Sequence, residues 1–378
     1  MNELKIGYDA KRAFCNNTGL GNYSRFVIEG IARENPQDSL LLYTPKTIGN
    51  PRIEPILALP NVEPRFPAGP GFKGSLWRTF GIPNHLRADK VDLYHGLSNE
   101  LPLTIREAGV PSVLTMHDVI YRRLPGGYSL FDRVADDIKY GKSCRNATHI
   151  IAVSECTKRD VVELYGVSPD KVTVVYQGCD EIFRKEPAEE ALEEVGKRYR
   201  LPDRYVLQVG TVEKRKNLEQ TIRALKMLPS GVSLVVVGRD NKGYKKYCQK
   251  LASETGVSER IIWLEGVPFA DLPLIYRRAE VVAYPSRYEG FGIPVLEGLA
   301  SGRPVVAATG SCLEEAGGDA ALYVNPDSAD ELASALLSII RSETDVEGMI
   351  RRGLAHADRF RLSDMASEVM KVYKKVLS

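Results

Sequence analysis

Short apolar runs of strand length alternate with stretches of helical periodicity along most of the chain. The strand-like runs begin at Leu4, Leu40, Val91, Val113, His149, Val172, Tyr205, Leu234, Ile261, Val281 and Val305. Parallel strands need crossover connections, which are usually helices, so this alternation predicts parallel sheets with helices on both faces. We therefore expect an α/β fold of the doubly wound type.

The length of the chain indicates more than one domain. Its 378 residues exceed the size of ~250–300 residues at which single hydrophobic cores stop growing. The charged, helix-like run Glu186–Tyr199 interrupts the alternation and is interpreted as a linker. A domain boundary is therefore predicted near residues 185–200, with one doubly wound unit on each side.

The composition is that of a globular protein, with 43% hydrophobic and 26% charged residues. The net charge of +2 does not indicate a nucleic acid, and no nucleic-acid partner is expected. No apolar run approaches the ~18 residues of a membrane-spanning helix, and the first residues run into a strand without the features of a signal peptide. The expected location is cytoplasmic, with peripheral contact at the inner membrane face left open.

The cysteines argue against a disulfide framework or a zinc site. All six are scattered, and none forms a C-x-x-C pair, which is typical of reduced thiols in a reducing compartment. The chain also lacks a D-x-D triplet, which is a common anchor for a divalent cation. We therefore predict no metal site and no resident cofactor.

The stretch from residue 281 to residue 306 carries the most specific pattern. Its apolar run Val281–Pro285 leads to a glycine-rich turn, a helix beginning near Pro294 and another strand-like run. Glu289 and Glu297 frame the unit, and the backbone N–H groups of Gly290–Gly292, including Phe291, precede the helix. Carboxylates bind sugar hydroxyls and a helix N-terminus binds phosphate, so the unit suits a sugar phosphate. The alternative is a solvated glutamate beside a turn that only packs.

A basic loop follows the strand Tyr205–Gly210. Lys214, Arg215 and Lys216 stand together just before a helix. Arginine offers a fork of donors and lysine a compact charge, and both groups bind phosphates. The loop is therefore interpreted as a diphosphate site, although a solvated basic loop is the alternative.

The first half of the chain carries a glycine loop and two histidines at strand ends. Gly19 and Gly21 open a helix and would let backbone approach a ligand, although a tight strand-to-helix turn explains them equally well. His117 is expected to contact a sugar hydroxyl, with Asp118 orienting its imidazole. Buried polar residues satisfied by backbone are the alternative there. His95 is a weaker candidate, and the other histidines are expected to be structural.

Together these motifs resemble glycosyltransferase family 4, whose members are retaining enzymes of the GT-B architecture. The pair Glu289-x7-Glu297 within YEGFGIPVLEGLASGRPVV is similar to the family signature. The segment G-x-x-E-x-R-K-N-L resembles the family's pyrophosphate loop, and T-x-H-D resembles its cleft-facing histidine. The resemblance covers about residues 4 to 375 and is nearest to bacterial mannosyltransferases that build surface polysaccharide. The sequence departs from the family at Gln177 and Cys179, to which no role is assigned.

The resemblance implies a GT-B fold, with two Rossmann-like doubly wound domains facing each other across a cleft. Residues 1–185, completed by a returning C-terminal helix at 361–378, would bind the acceptor, and residues 195–360 would bind the nucleotide-sugar. The implied reaction transfers a hexose to a hydroxyl of a glycan or lipid-linked glycan, with mannose from GDP-mannose as the favoured donor. It would proceed with retention of configuration and without a metal.

The resemblance also implies roles for the residues singled out above. Arg215 and Lys216 would neutralise the leaving diphosphate, near which the glycine loop of Gly19 and Gly21 would also lie. Glu297 would hold the ribose hydroxyls. Glu289 and the amides of residues 290–292 would hold the hexose, and His117 would contact the sugar near the reacting centre.

Other functions stay open at this point. A UDP-sugar donor fits the same architecture, because base contacts in this family come mainly from backbone. An epimerase or a phosphorylase would use a similar grip, although no convincing lysine for pyridoxal phosphate is present. A nucleotide-sugar-binding module without turnover is the non-enzymatic alternative. The aromatic residues of the loop at 60–80 would cover the core or, less favoured, contact the acceptor or a membrane surface.

Overall fold

The computed structural model describes residues 3–46, 49–67, 74–241 and 243–378. The chain divides into two compact units, the first comprising residues 1–178 and 362–378 and the second comprising residues 179–361. Each unit is built on one parallel β-sheet with helices packed around it. The division falls a few residues before the boundary predicted from the sequence.

The first unit contains a seven-stranded sheet in the order β3-β2-β1-β4-β5-β6-β7, and every neighbouring pair is parallel. The strands are β1 (Lys5–Asp9), β2 (Ser39–Tyr43), β3 (Val62–Arg65), β4 (Leu93–Gly96), β5 (Ser112–Met116), β6 (His149–Ala152) and β7 (Val172–Val174). The helices along this part of the chain are α1 (Lys11–Cys15), α2 (Gly19–Glu34), α3 (Glu54–Leu57), α4 (Gly74–Leu76), α5 (Ile82–Ala88), α6 (Ile120–Arg123), α7 (Leu130–Asn146) and α8 (Glu155–Tyr165). A π-helical turn at Trp77–Gly81 and 3-10 turns at Ile105–Ala108, Pro125–Gly127 and Pro169–Lys171 complete the connections.

The second unit contains a six-stranded parallel sheet in the order β10-β9-β8-β11-β12-β13. Its strands are β8 (Tyr205–Val209), β9 (Ser233–Val237), β10 (Ile261–Leu264), β11 (Val281–Tyr284), β12 (Val305–Ala308) and β13 (Leu322–Val324). Its helices are α9 (Glu189–Tyr199), α10 (Leu218–Leu225), α11 (Tyr244–Thr255), α12 (Leu272–Arg278), α13 (Ile293–Ala300), α14 (Leu313–Gly317), α15 (Ala329–Ile340) and α16 (Val346–Ala357). Its 3-10 turns are Glu181–Phe183, Lys214–Lys216, Ser258–Arg260 and Gly318–Ala320. The last helix of the chain, α17 (Leu362–Leu377), belongs to the first unit.

The central strands are apolar throughout because helices cover both faces of each sheet. All four residues of β4, β6, β11 and β12 are buried. This is the pattern of parallel sheets, whose strands read as continuous apolar runs and not as alternating ones. Helix α8 begins after Ser154, whose side chain caps it by accepting a hydrogen bond from the Thr157 N–H.

Two segments differ from the sequence-based expectations. The charged run interpreted as a linker forms α9, which packs within the second unit, where Arg278 donates to the Leu192 carbonyl at 3.1 Å. The segment at 60–80, interpreted from the sequence as a loop, contains the strand β3. That strand lies at the edge of its sheet, where a proline such as Pro64 is tolerated because its missing N–H would face outward.

The aromatic residues of this loop have different environments. Trp77 is buried, and its ring lies 6.5 Å from that of Tyr43 and 5.4 Å from that of His85. Trp77 therefore covers the core, as expected. Phe66 and Phe80 are partly exposed, and Phe72 lies outside the described residues.

Candidate functional site

The order of strands reverses direction at one place in each sheet, and that place positions the predicted site residues. In the second unit the reversal lies between β8 and β11, because β9 and β10 follow β8 on one side while β12 and β13 follow β11 on the other. Ligands of open α/β sheets bind beyond the carboxyl ends of the strands at such a reversal. The loop with Lys216 follows β8 and the loop with Glu289 follows β11, so both loops meet there.

Glu289 is the centre of a charged cluster in the second unit. Its Oε1 accepts hydrogen bonds from Lys216 Nζ at 2.6 Å, Ser286 Oγ at 2.5 Å and the Tyr284 hydroxyl at 3.1 Å. An Arg215 Nη1 lies 2.7 Å from the same oxygen. Burial disfavours the carboxylate, but the charges of Lys216 and Arg215 outweigh it and lower the pKa of Glu289 to about 2. Glu289 is therefore ionised at every physiological pH.

The two cations are held by several partners each. Arg215 also donates to the Tyr288 carbonyl at 2.7 Å and to Glu213 at 2.6 Å. Lys216 also donates to the Tyr284 hydroxyl at 2.5 Å. Burial alone would lower the pKa of Arg215, yet Glu289 and Glu213 raise it further above its usual value. The predicted basic loop is thus a balanced ionic cluster, and not the bare positive patch that the sequence suggested.

The left-handed residue Asn217 fixes the direction of this loop. It has a φ of 60° and caps α10, and its side-chain amide donates to the Pro285 carbonyl at 2.9 Å and to the Pro326 carbonyl at 2.6 Å. Asparagine tolerates this backbone conformation better than most residues. The amide therefore ties the loop after β8 to the loop after β11, which holds Lys216 and Glu289 together.

Glu297 has the opposite electrostatic environment. It lies on α13, is buried, and accepts a hydrogen bond from the Tyr276 hydroxyl at 2.8 Å. Burial raises the pKa of Glu297 to about 7. The hydrogen bond from Tyr276 lowers this pKa, and the nearby Asp180 carboxylate raises it. The pKa values of the two glutamates are therefore shifted in opposite directions. At neutral pH Glu289 is ionised and Glu297 is close to half-protonated.

The glycine turn before α13 is shaped by packing. Gly292 has a φ of 125°, and a Cβ there would lie 2.8 Å from a Leu313 methyl carbon, so no other residue fits. Phe291 is buried with its ring 5.7 Å from that of Phe360. The Cys312 Sγ lies 2.8 Å from the Phe291 carbonyl oxygen and 3.1 Å from the Glu289 carbonyl oxygen, which share its one S–H. The Phe291 side chain therefore anchors the turn, and backbone is what the turn offers to a ligand.

In the first unit, His117 follows β5 and is a buried, neutral imidazole. Its Nε2 bonds to the Leu97 carbonyl at 2.9 Å and its Nδ1 to the Gln177 amide nitrogen at 3.1 Å. These partners assign the proton to Nε2. Burial lowers the pKa of His117 to about 4 against the effect of the Leu97 bond. Asp118 accepts from the Ile120 N–H at 3.2 Å, and the expectation that it orients the imidazole stays a prediction.

His95 belongs to a buried hydrogen-bond network. Its Nδ1 lies 2.6 Å from the Tyr373 hydroxyl and its Nε2 lies 2.8 Å from the Thr115 hydroxyl. Thr115 in turn lies 3.1 Å from the Tyr23 hydroxyl. Burial lowers the pKa of His95 to about 3. Because both ring nitrogens are engaged inside the core, His95 has a structural role, as do the bonded His149 and His356.

The two glycines of the N-terminal loop differ in their surroundings. Gly19 is the first residue of α2, and a Cβ there would have open space around it. A Cβ on Gly21 would lie 1.8 Å from the Asn16 carbonyl oxygen. Gly21 therefore allows a close approach of backbone to backbone within the unit, while a side chain at position 19 would meet no neighbouring atom.

Several polar groups around these residues were missed by the sequence analysis. In the second unit they are Glu213, Tyr276, Tyr284, Ser286 and Cys312, and in the first unit they are Gln177 and Arg78. Arg78 donates through Nε to the Asp9 carboxylate at the end of β1, at 2.7 Å. It also donates through Nη1 to the Glu100 carboxylate beyond β4, at 2.6 Å. Glu213, Tyr284 and Ser286 stand within five residues of Arg215 or Glu289 in the sequence. The other groups reach their partners from more distant segments.

Comparisons with known proteins agree with this architecture. The family model described as glycosyl transferases group 1 matches residues 193–355, and the model described as glycosyltransferase family 4 matches residues 19–182. The O-antigen chain mannosyltransferase B of Escherichia coli is 30% identical over 293 residues, which are 76% of each chain. The O-antigen chain mannosyltransferase RfbU of Salmonella typhimurium is 28% identical over 60% of each chain.

A solved structure supports the same fold. The structure of Anabaena HepE in complex with UDP and glucose aligns with a TM-score of 0.78 at 20% identity, covering 99% of this chain and 100% of HepE. At this identity the likeness concerns the fold alone. The relatives, the two family models and the two parallel-sheet units agree with one another. The chain is a glycosyltransferase that belongs to glycosyltransferase family 4 and has the GT-B fold of two Rossmann-like units.

Proposed function

We propose that this glycosyltransferase transfers mannose from GDP-mannose to a hydroxyl of a glycan or lipid-linked glycan, with retention of configuration and without a metal ion. The observation that carries it is the cluster of Lys216, Arg215 and Glu289 beyond the carboxyl ends of β8 and β11.

The cluster has unused donors for a diphosphate. The ammonium of Lys216 has three N–H groups, of which two bind Tyr284 and Glu289. Arg215 directs its Nη atoms at carboxylate and carbonyl oxygens, which leaves its Nε–H without a partner among the described residues. Fixed cations of this kind stabilise a leaving diphosphate as its charge develops, which is the task that a metal performs in other enzymes.

The carboxylates suit the hydroxyl groups of the donor. All recorded contacts of Glu289 go to Oε1, so its Oε2 has no partner among the described residues and accepts a hexose hydroxyl proton in the proposal. Glu297 retains Oε1 for the ribose, because Tyr276 binds Oε2. The backbone N–H groups of residues 290–292 then complete the grip on the hexose.

The neutral imidazole of His117 is assigned to a sugar hydroxyl. Its proton lies on Nε2, and Gln177 occupies Nδ1, so a hydroxyl that binds Nδ1 must compete with Gln177. In the transfer step the acceptor oxygen bonds to the anomeric carbon, and the bond from that carbon to the diphosphate oxygen breaks. The proton of the acceptor hydroxyl passes to the departing diphosphate, which leaves with the electron pair of the broken bond.

The donor assignment is supported by the names of the relatives. Both O-antigen relatives are named as mannosyltransferases. A UDP-sugar is the second candidate, because HepE was solved with UDP and glucose on the same fold. Binding without turnover is a third outcome, although the complete set of Glu289, Glu297, Arg215 and Lys216 speaks against it.

The test is a thermal shift series followed by a transfer assay. Purified protein is heated with GDP, GDP-mannose, UDP or UDP-glucose, each with EDTA and with magnesium. A ligand at 100 times its Kd adds about 2.7 kcal/mol to the free energy of unfolding, which raises the Tm. We expect GDP and GDP-mannose to raise it equally with EDTA and with magnesium.

The transfer assay uses radiolabelled GDP-mannose with glycan and polyprenyl-linked glycan acceptors, and the anomeric configuration of the product is read by NMR. An α-linked product from the α-linked donor supports retention. A shift with UDP alone would overturn the donor assignment. A shift without product on any acceptor would favour the binding module.

A further inference from the structure

A buried polar network lies in the core of the first unit, between the sheet and two helices. Its five side chains come from three neighbouring strands and from the helices α2 and α17. They are Tyr8 (β1), His95 (β4), Thr115 (β5), Tyr23 (α2) and Tyr373 (α17), and all are buried. Polar groups in an apolar core are costly unless hydrogen bonds satisfy them. We name these five side chains the core network.

The register of the sheet places the three strand residues on one face. Tyr8 pairs with His95 across β1 and β4, and their rings lie 6.1 Å apart. His95 pairs with Val113 across β4 and β5. Thr115, two residues later, projects to the same face as Val113 because side chains alternate along a strand. The strand pairing alone therefore brings the three polar groups together.

Helix α17 brings Tyr373 to this face. The buried residues of α17 include Val369 and Tyr373, and a Cβ on Gly30 of α2 would lie 2.7 Å from the Ala366 Cβ, so the two helices pack closely. Among the described residues no helix, α17 included, is long and apolar enough to cross a membrane. The last helix of the chain thus forms part of the core that surrounds the network.

Hydrogen bonds join the five side chains in a single row. The Tyr23 hydroxyl lies 3.1 Å from the Thr115 hydroxyl, which lies 2.8 Å from His95 Nε2. On the other side of the imidazole, His95 Nδ1 lies 2.6 Å from the Tyr373 hydroxyl. Tyr373 then donates to the Tyr8 hydroxyl at 3.3 Å. The row therefore leads from α2 through the sheet to α17.

The number of available hydrogens gives the row one direction. Burial lowers the pKa of His95 to about 3, so the imidazole is neutral and has a single N–H. Because Tyr373 donates its only hydrogen to Tyr8, it accepts from His95 Nδ1–H. His95 Nε2 is then an acceptor and takes the Thr115 hydrogen. Thr115 in turn accepts from the Tyr23 hydroxyl.

Tyr23 connects the core network to His117. Its ring lies 4.6 Å from the imidazole of His117, at an interplanar angle of 88°. Such an edge-to-face contact depends on the orientation of both rings, and the bond to Thr115 fixes that of Tyr23. The backbone of His117 is held separately, by Asn99 Oδ1 at 2.6 Å and by the Thr157 hydroxyl at 3.1 Å. The Tyr23 ring therefore limits the rotation of the imidazole, which these backbone bonds leave free.

We propose that the core network positions His117 for sugar transfer, with Tyr23 and Tyr373 as positioning residues. Both tyrosines are buried and act through His117, not on the reacting atoms. The inference rests on the proposed contact of His117 with a sugar hydroxyl, and it adds that the last helix of the chain orients this contact. The alternative is a network that only stabilises the core, which would leave transfer by the folded protein unchanged.

The first experiment is nitrogen-15 NMR of the histidine side chains in the full chain without substrate. In the wild type the proton should lie on Nδ1 of His95 and on Nε2 of His117. In Tyr373→Phe the His95 Nδ1–H loses its acceptor, so the proton should move to Nε2 and donate to Thr115. Thr115 would then donate to Tyr23, and the resonances of His117 should shift although Tyr373 is not its neighbour. A His95 proton on Nε2 in the wild type would overturn the proposal, as would His117 resonances that are the same in Tyr373→Phe and wild type.

The second experiment measures the kinetics of Tyr23→Phe and Tyr373→Phe with the donor and acceptor that the transfer assay identifies. Phenylalanine keeps each ring and removes only the hydroxyl. We expect kcat to fall roughly three- to tenfold, as for the loss of one hydrogen bond from the transition state. The KM for the donor should change by less than about twofold, because the second unit is untouched.

Tyr43→Phe is the matched control. It also removes the hydroxyl of a buried tyrosine in the first unit, which donates to Asp89 at 2.7 Å and lies outside the core network. Its stability should fall as in the other variants, while its kcat should equal that of the wild type. Equal kcat values for Tyr23→Phe and wild type, or an equal loss in Tyr43→Phe, would overturn the positioning role.

Calorimetric titration with the nucleoside diphosphate of that donor gives the concentration of folded protein in every variant, and the affinity should be the same in all of them. If the wild type transfers no sugar, the proposed function fails by itself. The NMR comparison then still decides whether the core network holds His117, since it needs no substrate.

Discussion

The two units surround their predicted site residues with different kinds of polar group. In the second unit, Lys216 and Arg215 meet the carboxylate of Glu289 in a cluster of full charges. In the first unit, His117 is a neutral imidazole held by a carbonyl and an amide. Full charges bind a charged diphosphate strongly, whereas neutral donors and acceptors suit hydroxyl groups. In the proposed reaction the second unit would therefore bind the diphosphate and the first unit a sugar hydroxyl.

The largest effect is expected from Glu289→Gln. The change leaves two buried cations without their shared carboxylate, and breaking such a buried cluster costs roughly 3–5 kcal/mol of the free energy of unfolding. Urea denaturation measures the loss, and transferase activity should fall with it. Glu213→Gln is the control, because Glu213 pairs with a single cation, Arg215, and is more exposed than Glu289, so its loss should be smaller. Its other partner is the neutral side-chain amide of Asn241, at 3.0 Å. Equal stability of Glu289→Gln and wild type would refute the charged cluster.

The second-largest effect is a pH dependence of the free energy of unfolding, which differs between the two glutamates. The folded pKa of Glu297, about 7, lies above its ordinary value of 4.5, so its contribution to stability is fully present below pH 4.5 and is lost as pH rises through 7. The Glu297→Gln side chain cannot ionise, so this variant should not lose stability in the same way. Its free energy of unfolding relative to that of the wild type should therefore rise by roughly 1–3 kcal/mol between pH 5 and pH 8. Denaturation at both pH values measures the difference.

The pH test has an internal control in Glu289, whose folded pKa of about 2 lies below its ordinary value. Its contribution is present above pH 4.5 and is lost only as pH falls through 2, so it is constant between pH 5 and pH 8. Parallel pH profiles of wild type and Glu297→Gln would contradict the assignment of a buried, half-protonated Glu297.

The smallest effect concerns the neutral site. Gln177→Leu removes the donor to His117 Nδ1 and should cost about 1 kcal/mol of stability, the net value of one hydrogen bond. Nitrogen-15 NMR of the imidazole should find the proton on Nε2 in the wild type. The exposed Gln249→Leu on α11 is the control and should change neither quantity. A proton on Nδ1 in the wild type would refute the hydrogen-bond assignment.

Much of the fold was predictable because the strands of parallel sheets have a simple sequence pattern. Strands buried on both faces, such as β11 and β12, read as continuous apolar runs. The strand β3 was missed because it lies at the sheet edge and has only four residues, including Pro64. These residues do not form a continuous apolar run. Helix α9 was misread as a linker because its exposed face is charged, while the contacts that place it in the second unit are made by Arg278 from a distant helix.

The proximity of Glu289 and Lys216 could be predicted from the sequence, and the individual side-chain contacts could not. Glu289 and Lys216 follow neighbouring strands, so the strand pattern brings them together although they are 73 residues apart in sequence. Their ion pair, and the hydrogen bond of Tyr276 to Glu297, depend on side-chain geometry that no local motif records. The partner of His117 was missed for the same reason, since Gln177 lies 60 residues further along the chain.

The central claim is that the charged cluster of the second unit binds a nucleoside diphosphate without a metal. Calorimetric titration of GDP in EDTA into wild type, Lys216→Ala and Lys214→Ala tests it most directly. Lys214 lies in the same turn but is exposed, so its variant should bind like the wild type. Lys216→Ala should bind about a hundredfold more weakly, as expected for the loss of a charge-assisted contact. Equal affinity of all three proteins for GDP, or no binding by the wild type, would contradict the account.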